Sequence, residues 1–143
     1  MGLDMYLIAK AYIPLENEKT QETLRKAMGE DYEVGYVELN VGYWRKANQI
    51  HKWFVDNVQE GVDNCGTYYV SDDKLKHLLE TVNTALNSQS PNLILPTTSG
   101  FFFGSTEYDD YYKQDLEDTR NIITKYLALP NKNRYELYYH SSW

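Results

Sequence analysis

The sequence predicts a single-domain α+β protein in which a small antiparallel or mixed sheet packs against three to four helices. Its 143 residues are enough for one core and too few for two ordinary domains, so residues 1–143 are treated as one domain. Hydrophobic residues make up 42% of the chain, which is typical of a globular protein. Segments of strand-like and helix-like periodicity alternate unevenly, and this irregular order favours α+β over α/β.

The first half of the chain contains two strand patterns and two helix patterns. They cover residues 3–13 (strand), 17–28 (helix), 32–39 (strand) and 41–58 (helix). In the first strand Leu3, Met5 and Leu7 alternate with Asp4 and with other residues that should lie on the opposite face. We expect the helix over residues 41–58 to be one continuous element rich in aromatic side chains.

The second half begins with a short strand at residues 67–70 and a helix after Ser71, which is a good N-cap. Residues 101–103, all Phe, predict a short buried strand or an apolar plug. The longest helix is predicted over residues 106–129, and a last strand over residues 134–140.

Charge and composition exclude several classes of function. A net charge of −7 argues against broad nucleic-acid binding, which needs a basic surface. One cysteine, Cys65, and three histidines make a structural zinc site improbable, and no cofactor motif is present. The first residues resemble neither a signal peptide nor a membrane span, so we expect a cytoplasmic protein that does not bind membranes.

The segment 41–58 is the strongest candidate for a functional site. On a helical wheel, Trp44, Asn48 and His51 lie along one flank of the apolar stripe. We therefore expect the imidazole and the carboxamide to be accessible at the rim of a cavity, where they could orient a ligand or hold a loop. The predicted ligand-binding residues are Trp44, Arg45, Asn48, His51, Tyr108, Asp109 and Trp143.

A catalytic role for this segment is the weaker interpretation. A small hydrolase could use His51 with Asp4, Asp109 or Cys65, provided that the fold brings these groups together. The glycines of GFFFGSTEYDD suggest a phosphate loop, but three carboxylates follow and the Lys of a Walker loop is missing. No catalytic residue and no metal site is therefore predicted.

Four segments together resemble a family of small proteins encoded in phage and prophage genomes: MGLDMYL, GYWRKANQIHKWFV, GFFFGSTEYDD and the final YHSSW. The resemblance spans the chain and implies a phage accessory protein made in a bacterial host. Such proteins often bind and neutralise a host factor, as in counter-defence, or sequester a host nucleotide second messenger. The expected partner is therefore a host protein or a small nucleotide-like ligand, and a homo-oligomer is compatible with the sequence.

Overall fold

A computed structural model describes residues 2–29 and 31–143, and it has the α+β architecture that the sequence predicts. The elements in order are β1 (Asp4–Tyr12), α1 (Glu18–Met28), β2 (Tyr36–Arg45), α2 (Asn48–Asn57), β3 (Thr67–Tyr69), α3 (Asp72–Leu86), α4 (Asp110–Leu127) and β4 (Tyr135–Ser142). The strands form one sheet in the order β2-β1-β4-β3. Every strand pair is antiparallel, so the mixed-sheet alternative is not realised.

Strand β1 lies inside the sheet and shows the predicted alternation. Leu3, Met5 and Leu7 are fully buried on one face, where Leu137 and Tyr139 of β4 extend the same apolar layer. Helices α3 and α4 pack against each other, and α4 also contacts β2 on this side of the sheet. The core therefore lies between one face of the sheet and the helices.

The other face of the sheet carries side chains that remain partly or fully exposed. Tyrosines dominate it, and several of their rings contact one another across neighbouring strands: Tyr6, Tyr12, Tyr36, Tyr43, Tyr69 and Tyr138. The ion pair between Asp4 and Arg45 and the hydrogen bond from Tyr43 to Asp4 join neighbouring strands among these rings. We call this surface the open face.

The predicted helix over residues 41–58 is wrong in its first part, because β2 continues to Arg45 and α2 begins only at Asn48. The aromatic and β-branched residues at positions 41–44 favour a strand, and pairing with β1 supplies their backbone hydrogen bonds. One residue, Val41, is extra in the β1–β2 register and forms a bulge. The turn to α2 is made at Lys46, which has a φ of 60°.

The N-cap predicted at Ser71 is confirmed, whereas the helix predicted over residues 106–129 begins only at Asp110, with Asp109 as its N-cap. The side chains of Asn17, Ser71 and Asp109 each accept a hydrogen bond from a backbone N–H in the first turn of α1, α3 and α4. Gly29 ends α1 with a φ of 71°, the left-handed conformation that glycine adopts without strain. Among the helices described here, none combines the length and the apolar character needed to cross a bilayer.

Candidate functional site

The segment between α3 and α4 forms a long loop that is fixed to α2 by one amide side chain. Asn48 is 0% exposed, and its Nδ2 donates to the carbonyls of Phe103 (3.1 Å) and Ser105 (2.9 Å). Its Oδ1 accepts a hydrogen bond from the backbone N–H of Thr98 at 3.0 Å. Asn48 therefore holds both ends of residues 98–105, which we call the aromatic loop.

The aromatic loop presents two phenylalanines to solvent. Phe101 is 81% exposed and Phe102 is 45% exposed, and their ring centroids lie 4.4 Å apart. The third phenylalanine, Phe103, is buried beneath them. The predicted buried strand or plug at residues 101–103 is therefore wrong for two of its three residues, because the chain turns here and Phe102 takes a φ of 64°.

Two further aromatic residues support the loop from below. The ring of Phe103 meets the His51 imidazole edge to face, with centroids 5.4 Å apart. On another side the same ring meets Trp143, with centroids 6.1 Å apart. The buried member of the phenylalanine run thus fixes the loop against α2 and the end of β4, while its two neighbours remain outside.

His51 is 1% exposed and belongs to a buried chain of hydrogen bonds. Its Nδ1 lies 2.7 Å from the Tyr139 hydroxyl and its Nε2 lies 2.9 Å from Oδ2 of Asp63. Burial raises the pKa of Tyr139 well above its usual range. In the tautomer with the proton on Nε2, the imidazole donates to the Asp63 carboxylate and its Nδ1 accepts from the Tyr139 hydroxyl. The other oxygen of Asp63 accepts a hydrogen bond from the Trp143 indole at 3.0 Å.

A cavity of about 250 Å³ lies between the aromatic loop, the start of α2 and the start of α4. Its wall carries charges of both signs: the cations of Arg45 and Lys46, and the carboxylates of Glu107, Asp109 and Asp115. One oxygen of Asp109 is used as the N-cap of α4, where it accepts from the backbone of Tyr112. We call this space the mixed-charge cavity.

Asp115 is the most perturbed carboxyl group of the mixed-charge cavity. Desolvation raises its pKa from the ordinary 3.8 to about 6, and this effect outweighs a hydrogen bond of 3.0 Å from the Gln49 amide. No lysine or arginine pairs with Asp115 in the described part of the chain. The carboxyl group is therefore partly protonated near pH 6.

Arg45 is held on the open face at the edge of the mixed-charge cavity. Its Nη1 donates to Oδ1 of Asp4 at 3.0 Å, and the Tyr43 hydroxyl donates to the same oxygen at 2.5 Å. The hydrogen bond from Tyr43 and the charge of Arg45 lower the pKa of Asp4. Asp4 is thus a paired carboxylate that holds Arg45 and Tyr43 together.

The seven predicted site residues divide into three groups. Arg45 and Asp109 line the mixed-charge cavity, and Tyr108 lies near it, where its hydroxyl accepts from the Thr97 backbone at 3.0 Å. Trp143 is half exposed beside the buried Phe103. The remaining three, Trp44, Asn48 and His51, are buried.

The expected surface position of Trp44, Asn48 and His51 is wrong, for a different reason in each case. Trp44 lies on β2 rather than on a helix, and its indole donates to the Thr119 hydroxyl in the core at 2.8 Å. Asn48 is covered by the loop that it binds. His51 lies inside the protein, where Tyr139 and Asp63 bind its two ring nitrogens. The sequence predicts ligand contact for these three residues, whereas in the structure they are buried and bind other parts of the chain.

In the described part of the chain His51 forms no hydrogen bond with Asp4, Asp109 or Cys65, the three groups with which a hydrolase could have used it. Its two nitrogens face Tyr139 and Asp63, neither of which was singled out from the sequence. Tyr139 could have been found from the alternation of β4, since Leu137 shares its face. Asp63 lies in a loop without a recognisable pattern. No cluster of three or more metal-binding side chains occurs within residues 2–29 and 31–143.

Comparison with known proteins gives no relative from which a role could be transferred. No protein-family model matches the chain, and no match is found among curated proteins or among solved structures.

Proposed function

We propose that this chain is a non-catalytic, phage-type accessory protein that binds and neutralises a host protein in the cytoplasm of a bacterial host. The contact surface is the aromatic loop with the adjoining mixed-charge cavity. The observation that carries the proposal is the exposed pair Phe101 and Phe102 on a segment that buried side chains hold in place.

The exposed pair has the chemistry of a binding hot spot. Two adjacent phenylalanine rings in water cost free energy that burial against a partner would recover, at roughly 25 cal/mol per Å² of apolar surface. Such anchors contribute most beside charged and polar groups, and Arg45, Lys46 and Glu107 line the cavity that adjoins the end of the aromatic loop. A protein with a complementary apolar pocket and a polar rim fits this surface.

Fixing the loop in advance strengthens the argument for binding. A free loop loses conformational entropy when a partner orders it, and this loss weakens the complex. Asn48 orders the aromatic loop before any partner arrives, through three hydrogen bonds at 2.9 to 3.1 Å. The buried residues that the sequence marked as binding residues therefore support binding indirectly, as positioning residues.

The two other candidate functions have less support. A nucleotide phosphate in the mixed-charge cavity would face Glu107, Asp109 and Asp115, whose repulsion opposes the attraction of the two cations. A hydrolase would need His51 beside a nucleophile that substrate can reach, whereas His51 is 1% exposed and the hydroxyl at its Nδ1 belongs to the fully buried Tyr139.

The proposal is tested with the tagged full-length chain and two matched variants. Phe101→Ser removes an exposed aromatic from the loop, and Leu93→Ser removes a side chain of similar exposure, 80%, from the turn before it. A photo-reactive group on the loop identifies the bound protein in bacterial lysate, and its affinity for each purified variant is then measured.

We expect the captured protein to bind the wild type and Leu93→Ser equally, and to bind Phe101→Ser about 30-fold more weakly, as for a hot-spot residue. Equal affinity for both variants would contradict the assignment of the surface. A nucleotide that co-purifies with the chain in native mass spectrometry, without a protein partner, would favour the sequestration alternative.

A further inference from the structure

Strand β2 forms one edge of the sheet and is unusually long for an edge strand. It has ten residues, and its only strand partner in the described chain is β1. Proteins commonly protect such an edge with charged side chains, especially lysine, with proline, with a β-bulge or by keeping the strand short. The strand YVELNVGYWR has the charged Glu38 and Arg45 and a bulge at Val41, but it is long and contains neither lysine nor proline. Its outer edge therefore offers backbone donors and acceptors to another strand.

A groove accompanies this edge on the helix side of the sheet, with mainly apolar walls and with Glu38, Asn40 and Lys125 also in its lining. Leu39 and Val41 of β2 are only partly buried, and with Ile122 and Leu129 they line a cavity of about 350 Å³. The helix α4 thus leaves the inner side of the edge strand incompletely covered. A strand added to β2 would place its own apolar side chains over this groove.

We propose that a second copy of this chain pairs with the β2 edge, antiparallel and about a twofold axis, so that two sheets join into one. In a regular strand the even-numbered residues share one face and the odd-numbered residues share the other. When two copies of such a strand pair with matching faces, the numbers of two opposing residues add up to an even number. The bulge at Val41 changes this rule. Because of the bulge, the even-numbered Glu38 and Asn40 lie on the open face together with the odd-numbered Tyr43 and Arg45. A pairing that spans the bulge therefore joins side chains of the same face only when the numbers of two opposing residues add up to an odd number.

One odd register also matches the charges. When the axis passes between Val41 and Gly42, Glu38 of each copy lies opposite Arg45 of the other. Asn40 then lies opposite Tyr43 of the second copy on the open face. The twofold axis makes each of these pairs occur twice, so the strand is complementary to itself in charge and in face.

The size of the contact predicts a weak dimer. Residues 38–45 in this register span about 27 Å, and the sheet with its adjoining groove is about 15 Å deep, which gives roughly 400 Å² per copy. The two copies together would bury roughly 800 Å², which is at the low end for specific interfaces. We expect a dissociation constant between about 10 µM and 1 mM.

The first test measures mass against concentration by sedimentation. The wild type should move from 16.8 kDa towards twice that value as its concentration rises. Glu38→Arg places like charges opposite each other twice and should weaken the dimer at least tenfold. Glu136→Arg is the matched control, because Glu136 flanks Lys10 from β4 as Glu38 does from β2, but lies away from the edge. A monomer at every concentration, or equal dissociation of both variants, overturns the proposal.

The second test fixes the register by cross-linking in a Cys65→Ser background. A mixture of Glu38→Cys and Arg45→Cys chains should form a mixed disulfide, because these positions face each other across the axis. Either variant alone should not. A disulfide that forms equally well in the unmixed samples contradicts this register. Phe101→Ser should dimerise as the wild type does, which keeps this result separate from that for the host partner.

Discussion

Removing the Asn48 amide gives the sharpest test of how the aromatic loop is held. The Asn48→Ala variant loses two donated hydrogen bonds and one accepted hydrogen bond, all made to backbone groups of the loop. With about 1 kcal/mol net for each bond, the expected loss in the free energy of unfolding is about 3 kcal/mol. This value is a lower bound, because the carbonyl of Phe103 is buried and loses its donor.

This loss should be visible in thermal and chemical unfolding. For 143 residues the entropy of unfolding is about 300 cal/mol/K, so 3 kcal/mol lowers Tm by about 10 °C. In hydrogen exchange, the amide of Thr98 should lose its protection, because its acceptor is gone. Binding of the host partner should weaken as well, since the loop must then be ordered on contact.

The matched control is Asn92→Ala, which removes the same side chain from an exposed position in the turn before the loop. It should change the free energy of unfolding by less than about 0.5 kcal/mol. A comparably small effect of Asn48→Ala, with Thr98 still protected, would show that the loop is held by something other than this amide. Ordering of the aromatic loop by Asn48 would then no longer support the proposed binding surface.

Three further variants test other parts of the structure. Gly42→Ala should destabilise the protein by about 1 to 3 kcal/mol in urea unfolding, because its methyl group would lie 2.7 Å from Ile122, whereas Gly35→Ala meets nothing within 4 Å and should be nearly neutral. The raised pKa of Asp115, about 6, makes the protonated form favourable to folding, so this contribution is complete below pH 4 and is lost as pH rises through 6. Asp115→Asn should therefore exceed the wild type in stability by about 1 kcal/mol at pH 8, after allowance for partial exposure, and the difference should vanish near pH 4. Tyr139→Phe leaves a nitrogen of the buried imidazole without a partner and should cost about 1 to 2 kcal/mol, and an unchanged midpoint of unfolding would contradict the hydrogen-bond chain.

Periodic segments of the fold were predictable because each obeys one local rule. The strand β1 has a strict two-residue period, and its buried face follows from that period alone. The cap at Ser71 likewise depends on a side chain that binds its own helix three residues ahead. These parts of the chain needed no information about distant residues.

The boundary between β2 and α2 could not be predicted in the same way. Residues 41–45 fit a helical wheel when they are read with residues 46–58, and only the pairing with β1 makes them a strand. The wrong period placed Trp44 on the flank of a helix, next to Asn48 and His51. All three were selected for mixing polar and aromatic character, and burial of that mixture under a loop is a tertiary effect.

The aromatic loop shows the opposite error. Three consecutive phenylalanines predict burial, yet only Phe103 is buried. The exposure of Phe101 and Phe102 results from the tight turn at residues 100–104 and from the clamp of Asn48, which lies more than fifty positions earlier in the chain. No local pattern contains that information.

The position of β4 has a consequence for how the protein is made. This strand, Tyr135–Ser142, is the last to be synthesised, yet it lies between β1 and β3. Until it emerges from the ribosome, β1 lacks one of its two neighbours and β3 lacks its only one. A nascent chain must therefore keep these apolar strands apart from other polypeptides until β4 has been made, and the sheet forms by a late insertion of β4 between two strands that precede it in the sequence.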